Sequence, residues 1–153
     1  MAKTTTNPFT QTIQNIGVAL TNASSFTATN PGTAPTNTVA LFTAGSEGSI
    51  LKSLTATTDA TAAAQTVGIW ISTDSGTTKH LIGVINVPLS SGYTGAVVSV
   101  DMLSATWLIG LACDQSGKQV LPLEANAVLY VGCLTTAVAA SKTLWITGVA
   151  EDF

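Results

Sequence analysis

Apolar residues along this chain gather in short runs separated by polar loops, and the clearest example runs over residues 66–88, TVGIWISTDSGTTKHLIGVINVP. Two apolar stretches, residues 67–71 and 81–87, flank a polar loop built on Asp74, Ser75 and Gly76. β-Branched residues dominate both arms, nothing between them recurs at helical spacing, and Gly76 can take the positive φ of a hairpin return. The pattern predicts a β-hairpin. Alternation puts Val67, Ile69 and Ile71 on one face of the first arm, and Leu81, Gly83, Ile85 and Val87 together on the second. The opposite faces carry Trp70, Ile82 and Val84. A hairpin with two apolar faces needs cover on both, from a second sheet, a long arm or a neighbouring subunit.

From residue 39 onward the same strand and turn rhythm continues, with strands predicted at 39–43, 49–58, 96–100, 120–123, 128–134 and 143–150. Gly45, Ser46 and Gly48, then residues 88–95, 114–117 and 135–142, read as turns and loops. Residues 60–64 are too few for a stable helix. Residues 102–113, MLSATWLIGLAC, are apolar throughout, and the pattern predicts one or two helical turns capped by Asp101 or Ser104 at the rim of the domain. About eight strands without a substantial helix predict one all-β sandwich, jelly-roll-like, over residues 40–153. Residues 1–39 differ: they are rich in Thr, Asn, Ala and Ser and broken by Pro8, Pro31 and Pro35. They read as an extended N-terminal arm lying on the domain or on a neighbour, with short strands at 12–20 and 25–29, or as a polar segment that stays disordered.

Composition adds one constraint. Charged residues are 8% of the 153, against about 25% in an ordinary soluble domain, so hydroxyls and small side chains must cover the surface. Such a surface suits a subunit packed against other copies. The net charge of −3, with five Lys and Arg residues, leaves no basic stripe for phosphates, which argues against nucleic acid as a partner. No apolar run approaches the ~20 residues of a membrane span, and the N-terminus has no apolar signal-peptide core. These features place the chain in a cytoplasm until assembly. Cys113 and Cys133 both sit in apolar stretches and read as buried free thiols.

The candidate chemistry is sparse. His80 is the one histidine, and no nucleophile, base and acid can be grouped around it. Asp59, Asp74, Asp101, Asp114 and Glu124 each fall at a turn or strand end, where such side chains serve the turn itself. No calcium loop or glycine-rich phosphate loop occurs. The sequence therefore points to no catalytic, cofactor or metal site, and to a protein that is not an enzyme. The aromatic residues are the remaining candidates. Trp70, Trp107, Trp145, Tyr93 and Tyr130 could stack on a sugar or anchor an interface. Trp70 and Trp145 alternate to the face opposite their aliphatic neighbours, which favours the interface. The interface candidates are Trp70, Trp145, Trp107, Phe9 and Ile13.

Three segments carry a resemblance: WISTDSGTTKHLIGVINVP, DQSGKQVLPLEANAVLYVGCLTTAVAASKTLWITG and the terminal AEDF. With its GTT-type hairpin loop, its Leu121-Pro122-Leu123 step and its acidic-aromatic end at Asp152-Phe153, the chain resembles small virion structural proteins of tailed bacteriophages and prophages over residues 40–153. It departs from them at Ala150-Glu151, where small glycines are common. The resemblance implies a place in the virion, most plainly as a capsid decoration or cement protein that binds the major capsid protein. A tail, baseplate or fibre component that binds a receptor or glycan through Trp107 or Tyr93 is the alternative. Low charge, two-faced strands and the arm together lead us to expect a homo-oligomer, a trimer, assembled with other virion proteins in a host cytoplasm.

Overall fold

The computed structural model describes residues 12–21, 37–58, 64–88, 99–104, 106–134 and 142–153. Ten strands and no helix occur among them: β1 (Thr12–Leu20), β2 (Val39–Thr43), β3 (Ser49–Thr58), β4 (Gln65–Ser72), β5 (His80–Val87), β6 (Val100–Asp101), β7 (Ala112–Cys113), β8 (Gln119–Leu123), β9 (Val128–Cys133) and β10 (Leu144–Asp152). They form two antiparallel sheets. One has the order β1-β10-β3-β8-β7 with β6 also on β3, and the other β2-β9-β4-β5.

The pairings are nested. β4 pairs with β5 across the loop, β3 with β8, β2 with β9 and β1 with β10. The chain is thus one long hairpin whose tip is β4–β5, and successive pairs fall alternately in the two sheets. β10 also pairs with β3 and β9 with β4, which completes each sheet.

Side chains from the two sheets meet in a common core: Ile16, Leu20, Leu51, Leu54, Leu144 and Ile146 from the larger, and Val67, Ile69, Ile85, Leu129 and Val131 from the smaller. Each such side chain contributes roughly 1.5–3 kcal/mol by leaving water. The alternation that selects them is interrupted at bulges. Leu51 and Leu54 are three residues apart yet both buried, because Lys52 is the extra residue where the β10–β3 register shifts. Leu41 and Phe42 are consecutive and both buried for the same reason at the β2–β9 shift.

The hairpin loop forms as its sequence predicts, with Ser75 at φ 59° and Gly76 at φ 90°. Its centre is Asp74, whose Oδ1 accepts the Ser72 hydroxyl at 2.7 Å and the Thr78 N–H at 2.8 Å. The Ser72 hydroxyl in turn accepts the Gly76 N–H at 2.8 Å. A methyl on Gly76 would lie 2.2 Å from the Tyr130 hydroxyl, so glycine is required there for space as well as for φ.

Two expectations change. Residues 102–113 contain no helix among those described. The Ser104 carbonyl accepts N–H groups from Trp107 and Leu108, and Asp101 and Ser104 cap the N–H groups of Leu103 and Thr106. The turn stops there because the next backbone groups bond to β5: the Trp107 carbonyl accepts from Val84 at 3.2 Å, and the Ile109 N–H reaches the Ile82 carbonyl at 2.9 Å. Cys133 is buried but Cys113 is exposed, since β7 is a two-residue strand at a sheet edge. Within the expected arm, residues 12–20 are a full member of the larger sheet, in register with β10 over nine residues and burying Ile16 and Leu20. The strand expected at 25–29 lies outside the described residues, as does most of that at 96–100, of which Val100 is in β6.

The hydrogen bonds from Thr78, side chain and backbone, and then from Ser72 lower the Asp74 carboxyl from its ordinary 3.8 to about 2. A folded value below the unfolded one means that the loop's contribution is complete above about pH 4 and is lost as the pH falls through the folded value. NMR titration of the Asp74 carboxyl carbon should therefore give a midpoint near 2, moving up toward the ordinary value in Thr78→Val. An ordinary midpoint in the parent chain contradicts the loop geometry.

Candidate interaction surface

The residues singled out in the sequence separate into buried and exposed groups. Trp70 is 0% exposed. Its indole lies over paired glycines on neighbouring strands, Gly68 and Gly132: a methyl added at Gly68 would be 2.4 Å from the ring, and one at Gly132 would be 3.6 Å away. The Asn37 carbonyl and Thr38 methyl border the same trough. Trp70 therefore does face away from Val67 and Ile69, as alternation requires, but its cover comes from its own chain. It is a packing residue and offers no surface to a partner.

Trp145 and Ile13 are the opposite case, at 47% and 68% exposed. Both stand on the outer face of the larger sheet, where register puts them in rows across β1, β10 and β3. Trp145 lies between Ala19 and Thr57, Thr147 between Gly17 and Thr55, Val149 between Asn15 and Ser53, and Glu151 between Ile13 and Ile50. The Thr55 and Thr147 hydroxyls are 3.1 Å apart. Charge on this face is the Lys52–Glu151 pair at one end, 3.4 Å apart, and Asp101, whose register opposite Thr55 puts it on the same side of the sheet. Hydroxyl, amide, methyl and indole groups make up the rest, a surface suited to apolar and neutral polar contact.

Trp107 is half-buried in the segment bonded to β5. With Leu81, Ile82, Thr106 and the 75%-exposed Ile109 it lines a small apolar hollow. Thr106 is its one polar side chain, a sparse donor set for a sugar. Tyr130 serves the hairpin, its hydroxyl beside Gly76 and its ring 4.3 Å from the Lys79 ammonium. Phe9, Tyr93 and Asp59 lie outside the described residues.

The acids do turn work. Asp74 and Asp101 accept backbone N–H groups as described above, and Asp114 Oδ1 accepts those of Ser116 and Lys118, both at 2.9 Å. His80 is exposed at the start of β5. Among the described residues no three His, Cys, Asp or Glu side chains gather into a possible metal site.

One cluster escaped the sequence reading. Asp152 accepts hydrogen bonds from the Gln14 amide and from the Ser49 hydroxyl, the latter at 2.5 Å, and so ties β1, β3 and β10 together. The Ser49 hydroxyl also accepts the Gly45 N–H at 2.9 Å, and the Phe153 N–H reaches the Gly48 carbonyl at 3.2 Å. The available signal was phase: Ser49 and Asp152 alternate inward with Leu51 and Ala150, at positions where an apolar residue is the default. The acidic-aromatic end of the chain is a clamp on one end of the sandwich.

Two stability predictions follow from these contacts. Asp152→Ala leaves the buried Ser49 hydroxyl without its acceptor and should cost about 1–3 kcal/mol in urea unfolding. Glu151→Ala, next to it but in a surface ion pair, should stay within about 0.5 kcal/mol. Equal costs would contradict the clamp. Gly68→Ala should displace the Trp70 indole at a cost of about 1–3 kcal/mol and red-shift its fluorescence, whereas an unchanged chain would show that the ring does not lie on Gly68.

The chain matches no protein-family model, no curated protein and no solved structure, so the surface has to be read from its own geometry.

Proposed function

We propose that this chain is a structural protein of a tailed-bacteriophage virion, specifically a capsid decoration protein that binds the major capsid protein and stiffens the head. The observation that carries the reading is the hydroxyl-rich, sparsely charged outer face of the larger sheet, with Trp145 and Ile13 exposed on it. Cement needs no reaction centre. It needs a compact body and a contact face whose weak contacts sum over a repeating lattice. A jelly roll is the body in question, and the nested pairing, alternating between two sheets, supports that description. The N-terminal segment adds reach, copies of the chain are its first partners, and particles assembled in the host cytoplasm are its location. It works without enzymatic activity or cofactor.

The Trp107–Ile109 hollow favours a second reading, a tail, baseplate or fibre component that engages a receptor. Copy number in purified virions separates the two. Decoration predicts a copy number that scales with the major capsid protein, and particles lacking the chain that release DNA at a lower temperature than the parent. A few copies per particle, or heads that hold their DNA equally well without it, overturn decoration.

A further inference from the structure

The two sheets have five edge strands, and the chain protects four of them. β6 and β7 are each only two residues long, β2 is five residues long with a register shift at its middle, and β5 is covered by the Trp107–Ile109 segment. These are the devices by which sheet edges avoid unwanted pairing. β1 has none of them. It is nine residues long, contains no charge and no proline, and pairs with β10 without a register shift. Among the described residues no strand pairs its far edge. Thr12, Ile13, Asn15 and Gly17 are exposed along it.

We propose that β1 is the self-association site of this protein, pairing antiparallel with β1 of a second copy across a two-fold axis at Ile16. The sequence of the strand selects that occupant. Ile16 is its midpoint, so an axis there overlaps all nine residues. The inward set, Ile16 and Leu20, stays inward in both copies, whereas a one-residue slip would oppose inward to outward positions. On the outer face Ala19 then meets the partner's Ile13, and Asn15 meets the partner's Gly17.

The consequence for the exposed apolar residues is specific. Trp145 neighbours Ala19, while Ile13 lies at the other end of the strand beside Glu151. Within one chain they are far apart. Inverting the second copy brings the partner's Ile13 beside Ala19, so Trp145 reaches it across the smallest side chain available. The same cluster forms twice, as an isologous interface requires. No charge on β1 opposes the approach. Since each chain has one such edge, the association closes at two copies, in place of the trimer that the sequence leads one to expect.

This inference deepens the self-association in the proposed function but does not depend on a capsid, so it is tested on the isolated full chain. Sedimentation of the parent should give a two-chain mass. Ile13→Lys with Ala19→Lys places like charges opposite each other at both ends of the interface and should raise the dimer Kd about tenfold or more. Ile13→Lys with Ala19→Glu differs only in the sign at residue 19. It places opposite charges across the same two rows and should restore a Kd near the parent's. A monomeric parent, a Lys/Lys chain that dimerises as well as the parent, or a Lys/Glu chain no tighter than the Lys/Lys chain overturns the proposal.

Discussion

Everything in this fold depends on the pairing of β4 with β5. That hairpin is the innermost of the nested pairs: β4 also takes β9 and β9 takes β2 in the same sheet, while in the other β3 takes β8 and β10, and β10 takes β1. The order matters because loop closure costs grow with the length of chain enclosed. The hairpin encloses seven residues between Ser72 and His80, a small entropic cost. β1 and β10 stand at opposite ends of the chain and would pair poorly if nothing had already brought them together. Asp74 and Gly76 in the loop therefore support the whole structure, and the Asp152 clamp secures its open end.

The same arrangement accounts for the unusual surface. Nesting leaves the first strand at the margin of the larger sheet, because the strand that pairs with it is the last. A protein acting alone would place lysine or proline on such a margin. Here the strand is neutral, and the face beside it carries the Lys52–Glu151 pair at one end and Asp101 opposite Thr55. A long neutral edge strand is suited to contact with another chain.

Much of the fold is visible in the sequence because a half-buried strand repeats every second residue. Thr12–Leu20, Val39–Thr43 and Ser49–Thr58 begin and end where alternation and turn residues place them. What alternation does not reveal is which strands are neighbours, since pairing is a property of the whole chain. It also misjudges residues 102–113, where uniform apolarity looks helical. Met102, Leu103 and Leu108 instead join the core, and the backbone around Trp107 bonds to β5. Trp70 and Trp145 carry the same sequence signal, a tryptophan out of phase with its aliphatic neighbours. One is buried and the other open because Trp70 has Gly68 and Gly132 to lie on, and the glycine on the second strand becomes visible only when β9 is known to be its neighbour. Phase also marked Ser49 and Asp152, but a polar residue in an inward position has no obvious partner until the strand ends are brought together.

Residue-resolved hydrogen exchange on β1, at a concentration low enough to separate copies, tests the nested arrangement most directly. An edge strand paired on one side only has alternate amides bonded to its neighbour and alternate amides open to water. Slow and fast exchange should therefore alternate along Thr12–Leu20, while β9 and β4, flanked on both sides, are protected throughout. Uniformly slow exchange would mean that another part of the chain pairs the far edge of β1, and uniformly fast exchange that the first strand does not pair with the last; either result contradicts the account.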